Sequence, residues 1–119
     1  MTGHVYWMFD LAIKDGEYEK FEALMKEMVE ATEANEPGAL NYEWSVSEDK
    51  KTCHILERYV DSAATMVHMG NFGKNFGRRF MEVLKPNSIT LYGDPSEEVV
   101  KAFSAMGPVI MNSVGGFSR

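Results

Sequence analysis

Hydrophobic residues alternate with other residues from His4 to Ile13, and this period of two predicts a β-strand. One side of the strand is apolar throughout and consists of Val5, Trp7, Phe9, Leu11 and Ile13. The other side also carries large side chains, among them Tyr6 and Met8, so both sides need cover. We expect helices to cover one side and a second subunit to cover the other.

The pattern then predicts a helix followed by a hairpin. Apolar residues recur at helical spacing from Tyr18 to Thr32, which predicts an amphipathic helix of about five turns that ends within Asn35–Gly38. Residues Leu40–Val46 and Thr52–Val60 alternate again and predict two strands. The small and charged segment Ser47–Lys51 predicts the turn between them.

A second helix is predicted after Asp61 or Ser62, because either side chain can cap its first turn. Gly70 is expected to break or bend this helix, since glycine disfavours helical backbone. A continuation over Asn71–Leu84 is expected to end at Pro86, which cannot extend a helix.

The C-terminal part predicts three further elements. Ile89–Tyr92 has the composition of a fourth strand, and Glu97–Ala105 predicts a short helix that starts after Asp94-Pro95-Ser96. Val109–Val114 predicts a fifth strand. The order of elements through the fourth strand is that of a ferredoxin-like α+β fold, an antiparallel sheet with helices on one face.

Length and charge restrict the function. A chain of 119 residues predicts one domain, with a core over 4–93 and a C-terminal helix and extension over 94–119. The net charge is −6, and the basic residues are scattered, so a nucleic-acid partner is disfavoured. The single cysteine, Cys53, is expected to be buried. Because no segment is apolar for the length of a membrane span, we expect a soluble, cytoplasmic protein without a membrane partner.

His68 is the main candidate for chemistry. It lies in the second predicted helix beside apolar residues, and a neutral imidazole there could accept or deliver a proton. The alternative is a core or helix-end histidine that is satisfied by a backbone carbonyl. Both interpretations stay open from the sequence.

Glu57 and Tyr59 are two residues apart and therefore share one face of the third strand. If that face meets the helices, Glu57 is a half-buried acid whose pKa could rise enough for it to act as a base. The alternative is that Glu57 is solvated or is paired with another side chain in a purely structural role. Arg78 is a further candidate, as a guanidinium facing the same pocket, although a solvated surface arginine is the default.

Aromatic residues predict a ring-rich pocket lining. The candidates are Trp7, Phe9, Tyr42, Trp44, Tyr59, Phe72 and Phe76. The same stripe could equally be ordinary core. Gly70, Gly73 and Gly77 lie beside the phenylalanines and leave the space that a ligand requires.

No phosphate-binding loop, nucleophile elbow, zinc-ligand spacing or dinucleotide fingerprint is present in the sequence. Any redox role would then use no prosthetic cofactor, or one bound at a site without a recognisable motif, and we predict no metal site and no bound cofactor.

Three pieces of the sequence carry a family resemblance. The run Pro37–Tyr42, the run Glu57–Ala64 and His68 resemble the antibiotic biosynthesis monooxygenase family, and the resemblance extends from residue 4 to about residue 93. It implies a dimeric α+β barrel in which the outer sheet faces of two subunits pack together. His68 matches the family histidine, and Tyr59 stands where tryptophan is usual.

The resemblance also implies an activity. Some relatives oxidise small quinols or polyketides without metal or flavin, because the substrate anion itself reacts with dioxygen. A polyketide-oxidising relative has asparagine where Ile55 stands, which disfavours that substrate. A haem-degrading branch is disfavoured because Phe9 replaces its first-strand asparagine, His68 replaces its tryptophan, and Asn75–Arg78 offers no histidine ligand.

The leading hypothesis is a cofactor-free monooxygenase of a small quinol, phenolic or polyketide-like aromatic compound. His68 would be the proton acceptor, Tyr59 and the rings would orient the substrate, and dioxygen would be the second substrate. The competing hypothesis is a non-catalytic homodimer that binds a small molecule or serves in a stress response.

Overall fold

The structure is a computed structural model that describes residues 3–119, and the first two residues of the predicted domain lie outside this range. Over the described range the chain forms, in order, β1 (Val5–Ile13), α1 (Tyr18–Asn35), β2 (Ala39–Val46), β3 (Thr52–Tyr59), α2 (Ser62–Asn75), α3 (Gly77–Val83), β4 (Leu84–Gly93), α4 (Glu97–Phe103), a 3₁₀ turn (Ser104–Met106) and β5 (Val109–Ile110).

The strands form one sheet in the order β2-β3-β1-β4-β5. The strand β1 lies between β3 and β4 and pairs antiparallel with both, and β2 pairs antiparallel with β3. This order, with α1 and α2 as crossovers, is the ferredoxin-like arrangement and confirms the predicted fold.

The two sides of β1 differ in burial, as the alternation predicts. Its odd-numbered residues from Val5 to Ile13 are all buried, and they pack with Phe21 and Leu24 of α1 in the core. The opposite side is half-exposed and continues onto β3, where Leu56 pairs with Met8. Helices therefore cover one face of the sheet and leave the other open.

The second helix ends later than predicted. Asp61 caps it by accepting a hydrogen bond from the backbone N–H of Ala64 at 2.8 Å, and the helix runs through Gly70 without a break. A single glycine costs only about 1 kcal/mol, and helical backbone bonds continue past it. The break falls at Phe76, whose backbone (φ −129°, ψ −22°) leaves the helical range before α3 begins at Gly77.

The prediction that Pro86 ends a helix was wrong. The helix α3 ends at Val83, and Pro86 lies inside β4. The strand tolerates it because the register of β4 against β1 shifts there, and because β5 pairs with β4 only further along, at Thr90 and Leu91. Proline in a sheet is found at such bulges and open edges.

The predicted fifth strand is shorter than expected. Only Val109 and Ile110 pair with β4, and they do so in parallel, so the sheet is not antiparallel throughout. The helix α4 begins with Ser96 as its cap and gives way after Phe103 to the 3₁₀ turn, earlier than the predicted end at Ala105. Within residues 3–119, no helix combines the length and apolar character needed to cross a bilayer.

Candidate functional site

Three neighbouring strands place Glu57 in a row with two aromatic side chains on the buried face of the sheet. The register sets Glu57 opposite Trp7 on β1 and opposite Tyr42 on β2. Trp7 Nε1 donates to Glu57 Oε2 at 2.9 Å, and the Tyr59 hydroxyl donates to Glu57 Oε1 at 2.7 Å. Glu57 is only 5% exposed, so these donors replace the water that a buried carboxylate loses.

His68 reaches the same carboxylate from α2. It follows Thr65 by one helical turn, and both are buried because this side of α2 faces the sheet. His68 Nε2 lies 3.2 Å from Glu57 Oε1. Its ring centroid is 5.0 Å from that of Tyr59 and 5.4 Å from that of Tyr42, so the imidazole is enclosed by aromatic rings.

A second carboxylate, that of Glu36, contacts the other nitrogen of His68. Glu36 Oε1 is 3.0 Å from His68 Nδ1, and Glu36 Oε2 accepts a hydrogen bond from the Asn71 side-chain amide at 3.2 Å. Glu36 is only 7% exposed. We call Glu36, His68 and Glu57 the carboxylate–histidine cluster.

The turn after α1 explains why Glu36 reaches His68. Pro37 and Gly38 follow the last helical residues and end the helix. Gly38 packs so closely on α2 that a Cβ built on it would lie 2.6 Å from Ala64 Cβ. This contact holds the end of α1 against α2, where His68 is located.

The two carboxylates determine the charge of His68. Burial alone would lower the pKa of His68, but its hydrogen bonds to Glu36 and Glu57 and their negative charges outweigh burial and raise this pKa to about 9. Burial would raise the pKa of Glu36, but the hydrogen bond and charge of His68 lower it below its ordinary value. At neutral pH the cluster is therefore an imidazolium between two carboxylates.

This charge state corrects the sequence-based role of His68. A neutral imidazole as proton acceptor was expected, but an imidazolium has no free lone pair to accept a proton. Burial, together with the charge of Glu57, raises the pKa of both Tyr42 and Tyr59, so both remain neutral phenols, and the Tyr59 hydroxyl donates a hydrogen bond to Glu57. Glu57 lines the cavity next to His68.

A cavity of about 180 Å³ lies beside Glu57 and His68. Its lining is otherwise almost wholly apolar, with four methionines on different elements: Met28, Met69, Met81 and Met106. Methionine adapts to irregular shapes, so these walls can adjust to a ligand. The cavity thus has one polar end and flexible apolar walls, as small-molecule sites commonly have.

Six of the predicted site residues line this cavity. They are Trp7, Phe9, Tyr42, Glu57, His68 and Phe72. Tyr59 does not line it, because its ring stacks on Trp7 at 4.9 Å and its hydroxyl holds Glu57 from behind. Tyr59 is therefore placed to orient Glu57, not the ligand.

Three other predicted residues lie away from the cavity. Trp44 packs against Phe21 and Phe80 as part of the surrounding core. Phe76 lies at the break after α2, where the Arg79 guanidinium covers its ring at 5.6 Å. Arg78 points into solvent with a side chain that is 96% exposed, since it lies on the outer side of α3, and it is not a pocket guanidinium.

Glu36 and the methionines are the site residues that the sequence interpretation missed. A signal for Glu36 was present, because it follows the buried residues Met28 and Thr32 at intervals of four and so continues the inward stripe of α1. An acidic residue at such a position requires a buried partner. The glycines do not mark the pocket, because none of Gly70, Gly73 and Gly77 lines the cavity.

No group of three or more His, Cys, Asp or Glu side chains over residues 3–119 could hold a metal ion. In the carboxylate–histidine cluster itself, both ring nitrogens of His68 are already engaged by carboxylates.

Comparisons with known proteins agree with the fold. The family model described as antibiotic biosynthesis monooxygenase matches residues 5–72. No curated protein matches the sequence. Among solved structures, MupZ from Pseudomonas fluorescens has a TM-score of 0.86 at 21% identity, over 98% of this chain and 94% of that protein. The match to MupZ therefore includes the C-terminal extension.

Two further structures match most of the chain. Rv0793 from Mycobacterium tuberculosis has a TM-score of 0.61 at 23% identity, over 79% of this chain and 97% of its own. A variant of SnoaB, a cofactor-independent oxygenase from Streptomyces nogalater, has a TM-score of 0.65 at 14% identity, over 76% of this chain and 92% of its own. These likenesses show the fold. Since the family model covers more than half of the sequence, the chain belongs to the antibiotic biosynthesis monooxygenase family.

Proposed function

We propose that the protein oxidises a small one-ring phenol or quinol with dioxygen and needs no metal or flavin to do so. The observation that carries this proposal is an apolar cavity that ends at a buried carboxylate, Glu57. Membership of the monooxygenase family supports the oxygen chemistry. The name of SnoaB, a cofactor-independent oxygenase, supports a mechanism in which the substrate is the reductant.

The size and charge of the cavity favour a phenol over a larger polyketide-like compound. A cavity of roughly 150 Å³ accepts benzene, so about 180 Å³ accommodates one substituted ring. The carboxylate–histidine cluster has two carboxylates for one imidazolium, and its net negative charge disfavours a substrate that carries a carboxylate or phosphate. We therefore expect an uncharged substrate with its hydroxyl directed at Glu57.

The proposed reaction begins with proton transfer. Glu57 takes the hydroxyl proton, and the imidazolium of His68 stabilises the resulting phenolate. A phenolate in an apolar site is a better electron donor to dioxygen than the neutral phenol. One oxygen atom then enters the ring as the second carbonyl of a quinone, and the other leaves as water, so a phenol and dioxygen give a quinone and water.

A second candidate function is proton-transfer catalysis that does not consume dioxygen, such as isomerisation or addition of water. The carboxylate–histidine cluster favours it specifically, because His68 can act as an acid while Glu57 acts as a base. Both candidates share the first step and differ in their need for oxygen.

The test is to supply a panel of one-ring phenols and hydroquinones and to follow oxygen uptake and product formation together. Wild type is expected to convert at least one compound, and Glu57→Gln is expected to lose at least about 100-fold of the rate because the proton acceptor is gone. Glu48→Gln, at an exposed glutamate in the turn between β2 and β3, is the matched control and should keep the wild-type rate.

Each outcome of this test separates the hypotheses. Equal rates in wild type and Glu57→Gln would overturn the role of Glu57. Conversion that continues under argon would favour acid–base catalysis without oxygen. Saturable binding without any conversion would favour a non-catalytic binding protein.

We also propose that the protein acts as a homodimer through the open face of its sheet. Leu56 is 51% exposed there and pairs across the strands with Met8. Beside them Tyr6 stacks on Tyr92, with ring centroids 5.2 Å apart. This apolar and aromatic patch, bordered on the same face by Arg58 and Glu43, favours burial against a second copy.

A further inference from the structure

Glu36 has contacts that the proposed reaction does not use directly. It does not line the cavity, yet it binds His68 on the side opposite to Glu57. Its second oxygen is held by Asn71, one turn further along α2. This geometry fixes both the position of the Glu36 carboxylate and the direction of the His68 ring.

The surroundings of His68 leave the two glutamates as its charged neighbours. The groups that face it are Glu36 from the end of α1, Tyr42 from β2, Glu57 and Tyr59 from β3, and the uncharged indole of Trp7 from β1. Both tyrosines are uncharged phenols, so they do not balance a cation. With Glu57 alone, the imidazolium would have one counter-ion and a proton on Nδ1 without a charged acceptor.

We infer that Glu36 is a positioning residue that keeps His68 in its imidazolium form, so that the cavity presents positive charge to the substrate anion. This inference rests on the proposed function, in which Glu57 generates that anion. Once Glu57 has taken the substrate proton, a deprotonated His68 would leave the cluster with the negative charge of Glu36 and no positive one. A phenolate beside it is then unfavourable, so activity should fall on the alkaline side as His68 deprotonates.

The test compares wild type with Glu36→Gln, which keeps the shape and a hydrogen-bond acceptor but removes the charge. The ring nitrogens of His68 are titrated by ¹⁵N nuclear magnetic resonance, which needs no substrate. The titration midpoint, expected near pH 9 in wild type, should fall by at least about one pH unit in the variant, a tenfold loss of proton affinity.

The activity readout is the alkaline limb of the pH–rate profile. It should move to lower pH in Glu36→Gln by the same amount as the His68 midpoint, whereas a purely structural role would lower the rate equally at every pH. Glu36→Asp keeps the negative charge. The titration midpoint of His68 and the alkaline limb of the pH–rate profile should therefore both return most of the way to their wild-type positions. Glu33→Gln, an exposed glutamate on the same helix, should change neither.

The outcomes separate the effect of Glu36 on the charge of His68 from the effect of that charge on the reaction. An unchanged His68 midpoint in a folded Glu36→Gln protein would overturn the positioning role. A lowered midpoint with an unmoved pH–rate profile would retain the effect of Glu36 on His68 and overturn its link to the reaction. If Glu36→Gln does not fold, the same comparison is made with Glu36→Asp, whose shorter side chain should lower the midpoint by a smaller amount.

Discussion

His68 is charged because acidic side chains from two separate elements meet at its two ring nitrogens. Glu36 lies at the end of a helix and Glu57 in the middle of a strand, and each is nearly fully buried. A buried carboxylate is costly without donors, and the imidazolium supplies one to each of them. The three groups therefore depend on one another, and removing His68 would leave two buried carboxylates without a counter-charge.

The stability of the fold should depend on pH through His68. Its folded pKa of about 9 lies above the ordinary value of 6.5, so its contribution is fully present below pH 6.5 and is lost as the pH rises through 9. The loss corresponds to roughly 3 kcal/mol. Urea denaturation at about pH 6 and about pH 10 gives the free energy of unfolding of wild type and of His68→Gln. The difference between the two proteins should change by this amount from one pH to the other.

Other groups titrate in both proteins and cancel in this comparison. We expect the free energy of unfolding of wild type, relative to that of His68→Gln, to fall by roughly 3 kcal/mol from about pH 6 to about pH 10. An advantage that stays constant over the range would mean that His68 is not held as a cation in the folded protein.

The identities of these residues were only partly predictable from the sequence. His68 and Glu57 could be found because a titratable residue within an apolar pattern is unusual. Their charge state could not, since it depends on Glu36, which is 32 residues away from His68 in the chain. Tyr59 was assigned to the ligand, but only the three-dimensional contacts show that it holds Glu57 instead.

The turn between α1 and β2 decides where the cluster forms. Gly38 lets the end of α1 approach Ala64 at the start of α2, and the backbone carbonyl of Gly38 accepts a hydrogen bond from the N–H of Val60 at 2.9 Å. Without this approach, the carboxylate of Glu36 would not reach α2.

Two glycine substitutions test this packing. Gly38→Ala should lower the free energy of unfolding by about 1–3 kcal/mol, because the added methyl group overlaps Ala64 and the short side chain there cannot move aside. Gly73→Ala is the matched control on α2, where the new methyl group meets nothing, and it should raise stability by about 0.5–1 kcal/mol. Chemical denaturation of both variants measures the difference.

The opposite ranking of these two variants would show that Gly38 is not in close contact with α2. Equal and small effects would indicate that the turn relaxes around the added methyl group.

The types of the elements followed from hydrophobic periodicity, but their ends did not. The alternation of β1 and the helical spacing of α1 are strong local signals, because each element buries one continuous side. The helix break at Phe76 and the strand position of Pro86 depend on packing and on the register with β1, which no local pattern encodes.

The whole molecule has one face of its sheet covered by helices and the other left open. The sequence predicted this asymmetry correctly, because large residues occupy both sides of β1 while the two crossover helices can cover only one. Stable interfaces commonly bury about 1,200–2,000 Å² in total, and the open face is the surface on which we expect such burial.

A charge at the centre of the open face should separate the proposed dimer. Leu56→Asp is expected to convert a dimer into a monomer, because an unpaired carboxylate would be buried in the interface. Multi-angle light scattering measures the molar mass. Val67→Asp is the control, since Val67 is similarly exposed but lies on α2, on the other side of the sheet.

A wild-type protein that is monomeric at all concentrations would contradict the dimer. Dissociation by Val67→Asp but not by Leu56→Asp would place the interface on the helices instead.

The central claim, that the cavity takes a phenol and transfers its proton to Glu57 beside a charged His68, is tested most directly by the absorption spectrum of bound 4-nitrophenol. Its phenol and phenolate forms absorb at different wavelengths, so the spectrum shows where the proton is. At a pH below the solution pKa of this probe, wild type should bind it as the phenolate, and Glu57→Gln should bind it as the phenol. Saturable binding to wild type in the neutral form alone, or no binding at all, would contradict the account.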